Sequence, residues 1–204
     1  TGTGASQNIT GVGFDPNLVW IKIRSTTNNP VMFDTVRTAT KAVYTDITAA
    51  EATEASGLTA FITDGWTGGG ANITNGGSGK TYVCWNWKAG TTTGIATNGS
   101  TTITPSSYSF NQTAGFSIIK YEGNLTSGAK LAHGLGATPS MVMFKMTNAT
   151  KDWLVYHKGM DATAPEDYGM SLNTTAARVD ETTFWNDTAP DSVNFTLGNT
   201  VKVN

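Results

Sequence analysis

The sequence predicts an all-β protein, an antiparallel β-sandwich with an internal duplication and very little helix. Three observations support this prediction. Only 14% of the 204 residues are charged, so Thr, Asn, Ser and Gly must supply the polar surface, and these residues favour strands and turns. Short apolar runs are separated by glycine-rich turns. Finally, one strand-rich unit occurs twice along the chain.

The amino-acid composition limits the classes of protein to which this chain can belong. Hydrophobic residues make up 38% of the chain, which is enough apolar material for a folded core. The formal net charge of −2 provides no basic field for nucleic acid. No apolar run approaches the roughly 20 residues needed to span a bilayer. Cys84 is the only cysteine and cannot form an intrachain disulfide. We therefore expect a folded domain that neither binds nucleic acid nor inserts into a membrane.

The duplication is visible in residues 11–23, which match residues 134–146 without a gap. The shared pattern is Gly-Φ-Gly-x-x-Pro-x-Φ-Val-Φ-Φ-Lys-Φ, where Φ is apolar. Its structural residues are Gly11, Gly13, Pro16, Trp20 and Lys22 in the first copy and Gly134, Gly136, Pro139 and Lys145 in the second. Glycines and a proline set a turn that leads into a strand.

The match continues into the next strand, where Val31–Asp34 aligns with Leu154–His157. Tyr44 lies one residue out of register with Tyr168. A spacing this long is not that of a solenoid or propeller. We therefore predict a single sandwich assembly over residues 1–204 with pseudo-twofold symmetry, made of two related halves at about 8–123 and 131–204.

Alternation assigns the faces of the motif strands. One face carries Val19, Ile21 and Ile23 in the first copy and Val142, Phe144 and Met146 in the second, and this face is predicted to be core. The other face carries Leu18, Trp20, Lys22 and Arg24 and is expected under a loop or at an interface. We expect Lys22 and Lys145 to send their ammonium groups to the rim.

Further strands are predicted at 80–88 and 115–122, and around 101–103 and 193–197. The one plausible helix is a short stretch at 48–55. The first copy continues into the strand at 81–88, but no counterpart follows the second copy before Asn204. Either residues outside this sequence supply that strand, or the second half borrows a partner.

Four separated segments carry a resemblance to a known family: residues 11–24, 82–90, 115–123 and 133–139. They resemble a family of phage virion domains of uncharacterised activity, found in tail, fibre and other structural proteins of double-stranded-DNA phages, especially cyanophages and those of marine bacteria. The resemblance implies a concanavalin-like or jelly-roll-like sandwich on the exterior of the particle. The family's Asp-x-x-Arg-Gly occurs here as residues 34–38 with Thr38 in place of the glycine.

Catalytic residues are not predicted. His133 and His157 are the only imidazoles, and no Cys/His cluster accompanies them. We interpret His133 as a turn-stabilising residue, and His157 replaces Asp34 of the first copy. The closest carboxylate pairs are Glu51 with Glu54 and Glu166 with Asp167, which we expect to be solvated. A Ca²⁺ site at Asp161, Glu166 and Asp167 lacks the spacing of a known loop, so no metal and no cofactor is predicted.

Aromatic side chains that stack on sugar rings are the alternative source of function. The candidate glycan contacts are Trp66, Trp153 and Tyr121, with Trp66 beside a triple glycine as the best candidate for exposure. Trp85 and Trp87 share one face of their strand, and we favour a core-filling role for this pair over sugar binding.

Three functional hypotheses follow. The first is a non-enzymatic virion structural module of a tail, fibre or capsid decoration, with other virion proteins and further copies of itself, most simply a trimer, as partners. The second is a lectin-like adhesin domain that binds host-surface carbohydrate. The third is an enzyme that degrades polysaccharide.

Overall fold

The computed structural model describes residues 1–204 and confirms the all-β sandwich: strands take up 34% of the chain and helices 3%. The chain divides into two compact units, Thr1–Gly90 and Thr91–Asn204. The predicted boundary between residues 123 and 131 is therefore wrong. Residues 101–120 belong to the second unit because Ile103 is part of its core and bridges Leu131.

The first unit contains eight strands: β1 (Gln7–Thr10), β2 (Leu18–Ile23), β3 (Val31–Asp34), β4 (Lys41–Tyr44), β5 (Ala52–Thr53), β6 (Leu58–Ile62), β7 (Gly65–Gly68) and β8 (Tyr82–Trp87). They form a five-stranded sheet in the order β5-β4-β3-β2-β8 and a three-stranded sheet in the order β1-β7-β6. Every pairing is antiparallel.

The core of the first unit lies between these two sheets. Val19, Ile21 and Phe33 from the larger sheet pack in one cluster with Leu58 and Trp66 from the smaller one. The predicted core face of β2 is confirmed, because Val19, Ile21 and Ile23 are buried. Burial of this apolar surface from both sheets is what makes the unit a two-layer sandwich.

The second unit contains the remaining strands: β9 (Ser107–Asn111), β10 (Phe116–Lys120), β11 (Ala129–Ala132), β12 (Met141–Phe144), β13 (Leu154–His157), β14 (Tyr168–Ser171), β15 (Val179–Asp180) and β16 (Asn194–Leu197). A four-stranded sheet has the order β12-β13-β14-β15, and two further antiparallel pairs are β9 with β10 and β11 with β16. A short 3₁₀ helix covers Pro165–Asp167 and α1 covers Thr182–Trp185.

A second, separate core fills this unit. Phe144, Leu154 and Tyr156 of the four-stranded sheet pack with Phe195 of β16 and Trp185 of α1. The Trp185 and Phe195 rings meet edge to face with centroids 5.2 Å apart, a favourable arrangement for aromatic pairs. Each unit therefore has its own core and its own sheets.

The duplication is reproduced in the pairing register. Leu18 faces Asp34 across β2 and β3, and the aligned residue Met141 faces His157 across β12 and β13. The backbone bond at the end of each pair also repeats: Thr35 N–H donates to Asn17 O at 2.9 Å, and Lys158 N–H donates to Ser140 O at 2.9 Å. The gapless alignment of the two motifs therefore corresponds to the same hydrogen-bonded hairpin.

The repeat extends further than its sequence match. In the first unit Lys41 faces Thr53, and in the second Tyr168 faces Asp180. The structural equivalent of Tyr44 is Ser171, because they pair with the equivalent residues Val31 and Leu154. The alignment of Tyr44 with Tyr168 is therefore wrong. The cause is the link before the third strand, which covers residues 35–40 in the first unit and the longer stretch 158–167 in the second.

Other local predictions are mixed. The strands predicted at 80–88, 115–122 and 193–197 are confirmed, and 101–103 contributes a single bridge at Ile103. The helix predicted at 48–55 is wrong, because Ala52 and Thr53 instead pair with β4. None of the helices has the length and apolar character that a membrane span requires.

One strand has no counterpart. β8 covers the free side of β2 over the full length Leu18–Ile23, whereas β12, the equivalent of β2, is the last strand of its sheet. The sequence indicated that the second copy lacks a counterpart of β8. The structure shows that this counterpart would pair with the free edge of β12.

Candidate interaction surface

Two of the three predicted glycan contacts are buried, and the third, Tyr121, is half-buried. Trp66 is 2% exposed and belongs to the first core, and Trp153 is 4% exposed. The Tyr121 hydroxyl donates a hydrogen bond to the Val203 carbonyl, and its ring packs against the second core. Trp66 pairs with Ile9 and Phe61, which pack against the same core, so its side chain lies on the core face of β7. The predicted exposure of Trp66 is therefore wrong, and the burial of Trp153 likewise keeps its ring from a sugar.

The exposed aromatic residue is instead Trp85, at 46%. It pairs with Trp20 across β2 and β8, and the two ring centroids lie 5.6 Å apart at an angle of 52°. Because Val19 and Ile21 point to the core, Trp20 and Trp85 share the opposite, outer face. Trp87, two residues from Trp85 on β8, lies on that same face. The interpretation of Trp85 and Trp87 as core residues is wrong, although Trp87 is itself half-buried.

The equivalent outer face of the second unit carries methionine. Met143 pairs with Val155, and Val155 pairs with Met170, so these residues share a face with Met141. Met141 is 50% exposed and Met170 is 40% exposed. Both units thus expose apolar side chains on the outer face of the repeated sheet, Trp85 in the first and Met141 and Met170 in the second.

The two motif lysines have the same structural role. Lys22 Nζ donates to the Asn28 carbonyl at 2.5 Å, and Lys145 Nζ donates to the Lys151 carbonyl at 2.8 Å. Asn28 and Lys151 are equivalent positions in the loops that join β2 to β3 and β12 to β13. The lysines therefore bond the loop between the two strands of each hairpin. The sequence had predicted that their ammonium groups would point to the solvent at the rim.

The Gly-Φ-Gly turns confirm the predicted role of the glycines. Gly11 and Gly13 have φ of 87° and 85°, and Gly134 and Gly136 have φ of 76° and 69°, values that L-residues rarely adopt. In the first unit this turn wraps around the Asp64 carboxylate, which accepts from Gly11 N–H at 2.9 Å and Gly13 N–H at 2.6 Å. These bonds lower the pKa of Asp64.

In the second unit His133 performs the corresponding task. Its Nδ1 accepts from Leu135 N–H at 3.2 Å, so the proton lies on Nε2, which is 3.0 Å from the Asp191 carbonyl. The ring is buried, and burial lowers the pKa of His133. The residue is thus a neutral turn-stabilising imidazole in this geometry, as predicted. His157 is exposed, and its Nδ1 accepts from Gly159 N–H at 3.0 Å.

The carboxylates of the first unit are engaged in structural contacts. Arg37 Nε lies 2.6 Å from Asp34 Oδ2, and its Nη1 lies 3.2 Å from Glu51 Oε2. The Tyr44 hydroxyl donates to Glu54 Oε1 at 2.5 Å. Glu51 and Glu54 were predicted to be solvated; instead they hold Arg37 and Tyr44.

An acidic region surrounds the 3₁₀ helix of the second unit. Partial desolvation and the nearby carboxylates of Asp187 and Asp180 raise the pKa of Asp167. Asp161 accepts from Thr163 N–H at 2.9 Å and pairs with Arg178 at 3.0 Å. Nowhere in the chain are three or more His, Cys, Asp or Glu residues grouped so that they could hold a metal ion.

Sequence reasoning missed Asp64 and the exposed methionines. Asp64 lies far along the chain from the turn it binds, and nothing in the sequence marks that pairing. The position of the methionines could have been predicted from the sequence, because Met141 and Met143 fall on the outer face once Val142 and Phe144 are placed in the core.

The chain matches no curated protein and no solved structure. It does match a family model, that of the domain of unknown function DUF7483, over residues 1–204. The chain therefore belongs to the DUF7483 family.

Proposed function

We propose that this domain is a non-enzymatic structural module on the exterior of a phage particle, in a tail, a fibre or a capsid decoration. Its task is to present rigid sandwiches that dock onto other virion proteins and onto further copies of itself. The four segments that resemble phage virion domains motivate this assignment.

The observation that carries the non-enzymatic part of the proposal is how the ionisable side chains are used. The imidazole of His133 and the carboxylates of Asp34, Glu54 and Asp64 each bond a turn, a loop or a neighbouring strand within their own unit. General acid–base catalysis requires such a group to reach a substrate proton. Groups with these partners stabilise the fold and are poorly placed for that task.

The apolar outer faces support the assembly part of the proposal. Trp85 in the first unit and Met141 and Met170 in the second are exposed on equivalent sheets. Phage appendages repeat around symmetry axes, and the simplest expectation for this chain is a trimer. Burial of these side chains between copies would provide the favourable free energy of association.

Particle association tests the proposal. Particles of the phage that encodes the chain are banded on a density gradient and probed with antibody to the purified domain, and intact particles are labelled with the same antibody bound to gold. We expect the chain to band with particles and the gold to bind their surface, whereas antibody depleted on the pure domain gives no label. Recovery of the chain only from the unbanded lysate would contradict the proposal.

A second candidate function, binding of host-surface glycan, is favoured by the exposure of Trp85 beside Trp20. An exposed indole face is suited to stacking on a sugar ring. The candidate contact thus moves from the buried Trp66 and Trp153 and the half-buried Tyr121 to the outer face of β2 and β8.

A glycan array with host envelope sugars tests this second function. We expect binding by the wild-type chain and loss of binding in Trp85→Ala. Val179→Ala is the matched control, because Val179 is equally exposed but lies in the second unit. Equal binding by wild type and Trp85→Ala, or no binding by either, would reject the glycan function.

A further inference from the structure

The open edge of β12 is the strongest unassigned feature of the molecule. β12 and β2 are equivalent strands with the same register to their hairpin partners. β2 is bonded on both sides, by β3 and by β8, while β12 has β13 on one side and ends the sheet on the other. The first unit thus shows that a strand fits along this side of the motif.

The backbone groups that face the open edge follow from the pairing. Lys158 N–H donates to Ser140 O, and bonded pairs alternate along an antiparallel ladder. Val142 and Phe144 therefore bond β13, while Met141 and Met143 direct their N–H and C=O groups away from it. In the first unit the equivalent residues Leu18 and Trp20 face Trp87 and Trp85 of β8.

The edge is only four residues long, but it lacks the side-chain features that usually protect exposed strands. Natural edges carry charges, proline or bulges that prevent pairing with another chain. Residues Met141–Phe144 contain no charge and no proline, and their pairing with β13 is regular. The nearest cation, Lys145, directs its Nζ to the Lys151 carbonyl at 2.8 Å. Met141, 50% exposed, adds apolar surface beside the edge.

We propose that β12 pairs antiparallel with β12 of a second copy of this chain, across a two-fold axis at Met143. The second copy fits because the edge is self-complementary: in this register Met143 faces Met143 and Met141 faces Lys145. No like charges oppose each other, since Lys145 faces an apolar residue. A two-fold contact also closes on itself, so each copy needs only this one edge.

The pairing rests on the proposed function, because that function includes self-association. It identifies β12 as the strand through which two copies associate. It joins two four-stranded sheets into one continuous sheet and places the methionines of both copies side by side on its outer face. A two-fold contact alone gives a dimer. If the chain is also trimeric, it links two trimers. A strand pair this short is smaller than a standard interface, so the association is expected to depend on concentration.

Sedimentation over a concentration series tests the pairing. We expect wild-type dimers, or hexamers if a trimer is also present, and a loss of at least ~10-fold in the association constant for Met143→Pro, which removes one outward N–H and obstructs the edge. Proline is tolerated on an edge strand when its N–H faces outward, and circular dichroism verifies the fold. Val179→Lys, on β15 at the opposite edge of the same sheet, is the matched control and should associate like wild type.

Cross-linking provides a second readout that does not depend on proline. In a Cys84→Ser background, Met143→Cys is expected to form a disulfide-linked dimer on mild oxidation, because directly opposed bonded residues lie about 5.5 Å apart at Cα, within disulfide range. Val179→Cys, at the opposite edge of the sheet, is expected to remain uncrosslinked.

The outcomes separate the two proposals. Association that persists in Met143→Pro without the Met143 cross-link rejects the β12 pairing and leaves self-association intact. A wild-type chain that stays monomeric at the highest concentration rejects both. Loss of association in Val179→Lys alone would place the contact at the opposite edge of the sheet and also reject the β12 pairing.

Discussion

Thr38 has a backbone φ of 77°, which lies in the left-handed region. This region costs an L-residue about 1–2 kcal/mol, most of all a β-branched one. The turn between β3 and β4 therefore strains Thr38. The strain is confined to the link between β3 and β4.

Relief of this strain is measurable. We expect Thr38→Gly to stabilise the first unit by about 1 kcal/mol, since glycine adopts positive φ freely but gains entropy in the unfolded chain. In a unit of this size the gain raises the melting temperature by about 4 °C or more, measured by calorimetry. Thr38→Ala, which retains a Cβ, is the matched control and should gain less. An unchanged or lower melting temperature in Thr38→Gly would contradict the strain.

Arg37 lies between two carboxylates with little access to water. The side chains of Arg37 and Asp34 are 10% and 5% exposed. We expect Arg37→Met to cost about 3–5 kcal/mol of unfolding free energy in urea, because it leaves Asp34 buried without its partner. Lys202→Met is the matched control: it breaks the more exposed pair with Asp152 and should cost less than about 1 kcal/mol. Equal costs for the two variants would contradict this account.

His133 makes the stability of the second unit depend on pH. Because the pKa of His133 is lowered in the folded protein, the unfolded chain takes up a proton first as pH falls below about 6.5. Stability is therefore lost on acidification through this window. We expect His133→Asn, which retains an acceptor for Leu135 N–H but does not titrate, to reduce the change in urea midpoint between about pH 7.5 and pH 5. An unchanged pH dependence in the variant would contradict the assignment.

At the scale of the elements, the Gly-Φ-Gly turn and the strand that follows it were predictable from the sequence. The pairing of more distant strands was not. Glycine spacing, proline and alternation are local signals, and they identified both hairpins and the core face of β2. The inward direction of Trp66 depends on the pairing of β7 with β1 and β6, and the outward direction of Trp85 depends on register with Trp20. Such long-range pairing has no local signature. The same reason explains the failed helix at 48–55, where pairing with β4 overrides local propensity.

The turn that encloses Asp64 should loosen when its acceptor is removed. We expect Asp64→Ala to accelerate amide hydrogen exchange at Gly11 and Gly13, because both N–H groups lose the carboxylate that accepts from them. Exchange at Leu135 is the internal control, since its N–H is held by His133 in the other unit. Unchanged exchange at both glycines would show that the carboxylate does not hold the turn.

At the scale of the whole molecule, duplication was predictable and the division of the chain was not. The alignment identified the repeated hairpin, but strands that precede the second motif carry no sequence counterpart in the first. Residues 101–120 were therefore placed with the first half, although Ile103 and Ile119 pack on the second core. Only packing shows where they belong.

Separate cores predict that the first unit folds alone. We expect a fragment of residues 1–90 to unfold cooperatively in urea, because its two sheets and all members of its core cluster lie within these residues. A fragment of residues 1–123, which follows the boundary expected from the sequence, should have the same midpoint and a protease-sensitive tail. A gradual, non-cooperative transition in the 1–90 fragment would contradict the independence of the first core.

The link before the third strand of the repeat has a practical consequence. The second unit accommodates the longer stretch 158–167 where the first has 35–40, and the pairing of the flanking strands is the same in both. Added length at this point costs little because loop closure depends only weakly on loop size. A peptide epitope inserted between Thr38 and Ala39, which leaves Arg37 with Asp34 and Glu51, would therefore be displayed at the end of the sheet, and this hairpin is suited to use as a display scaffold.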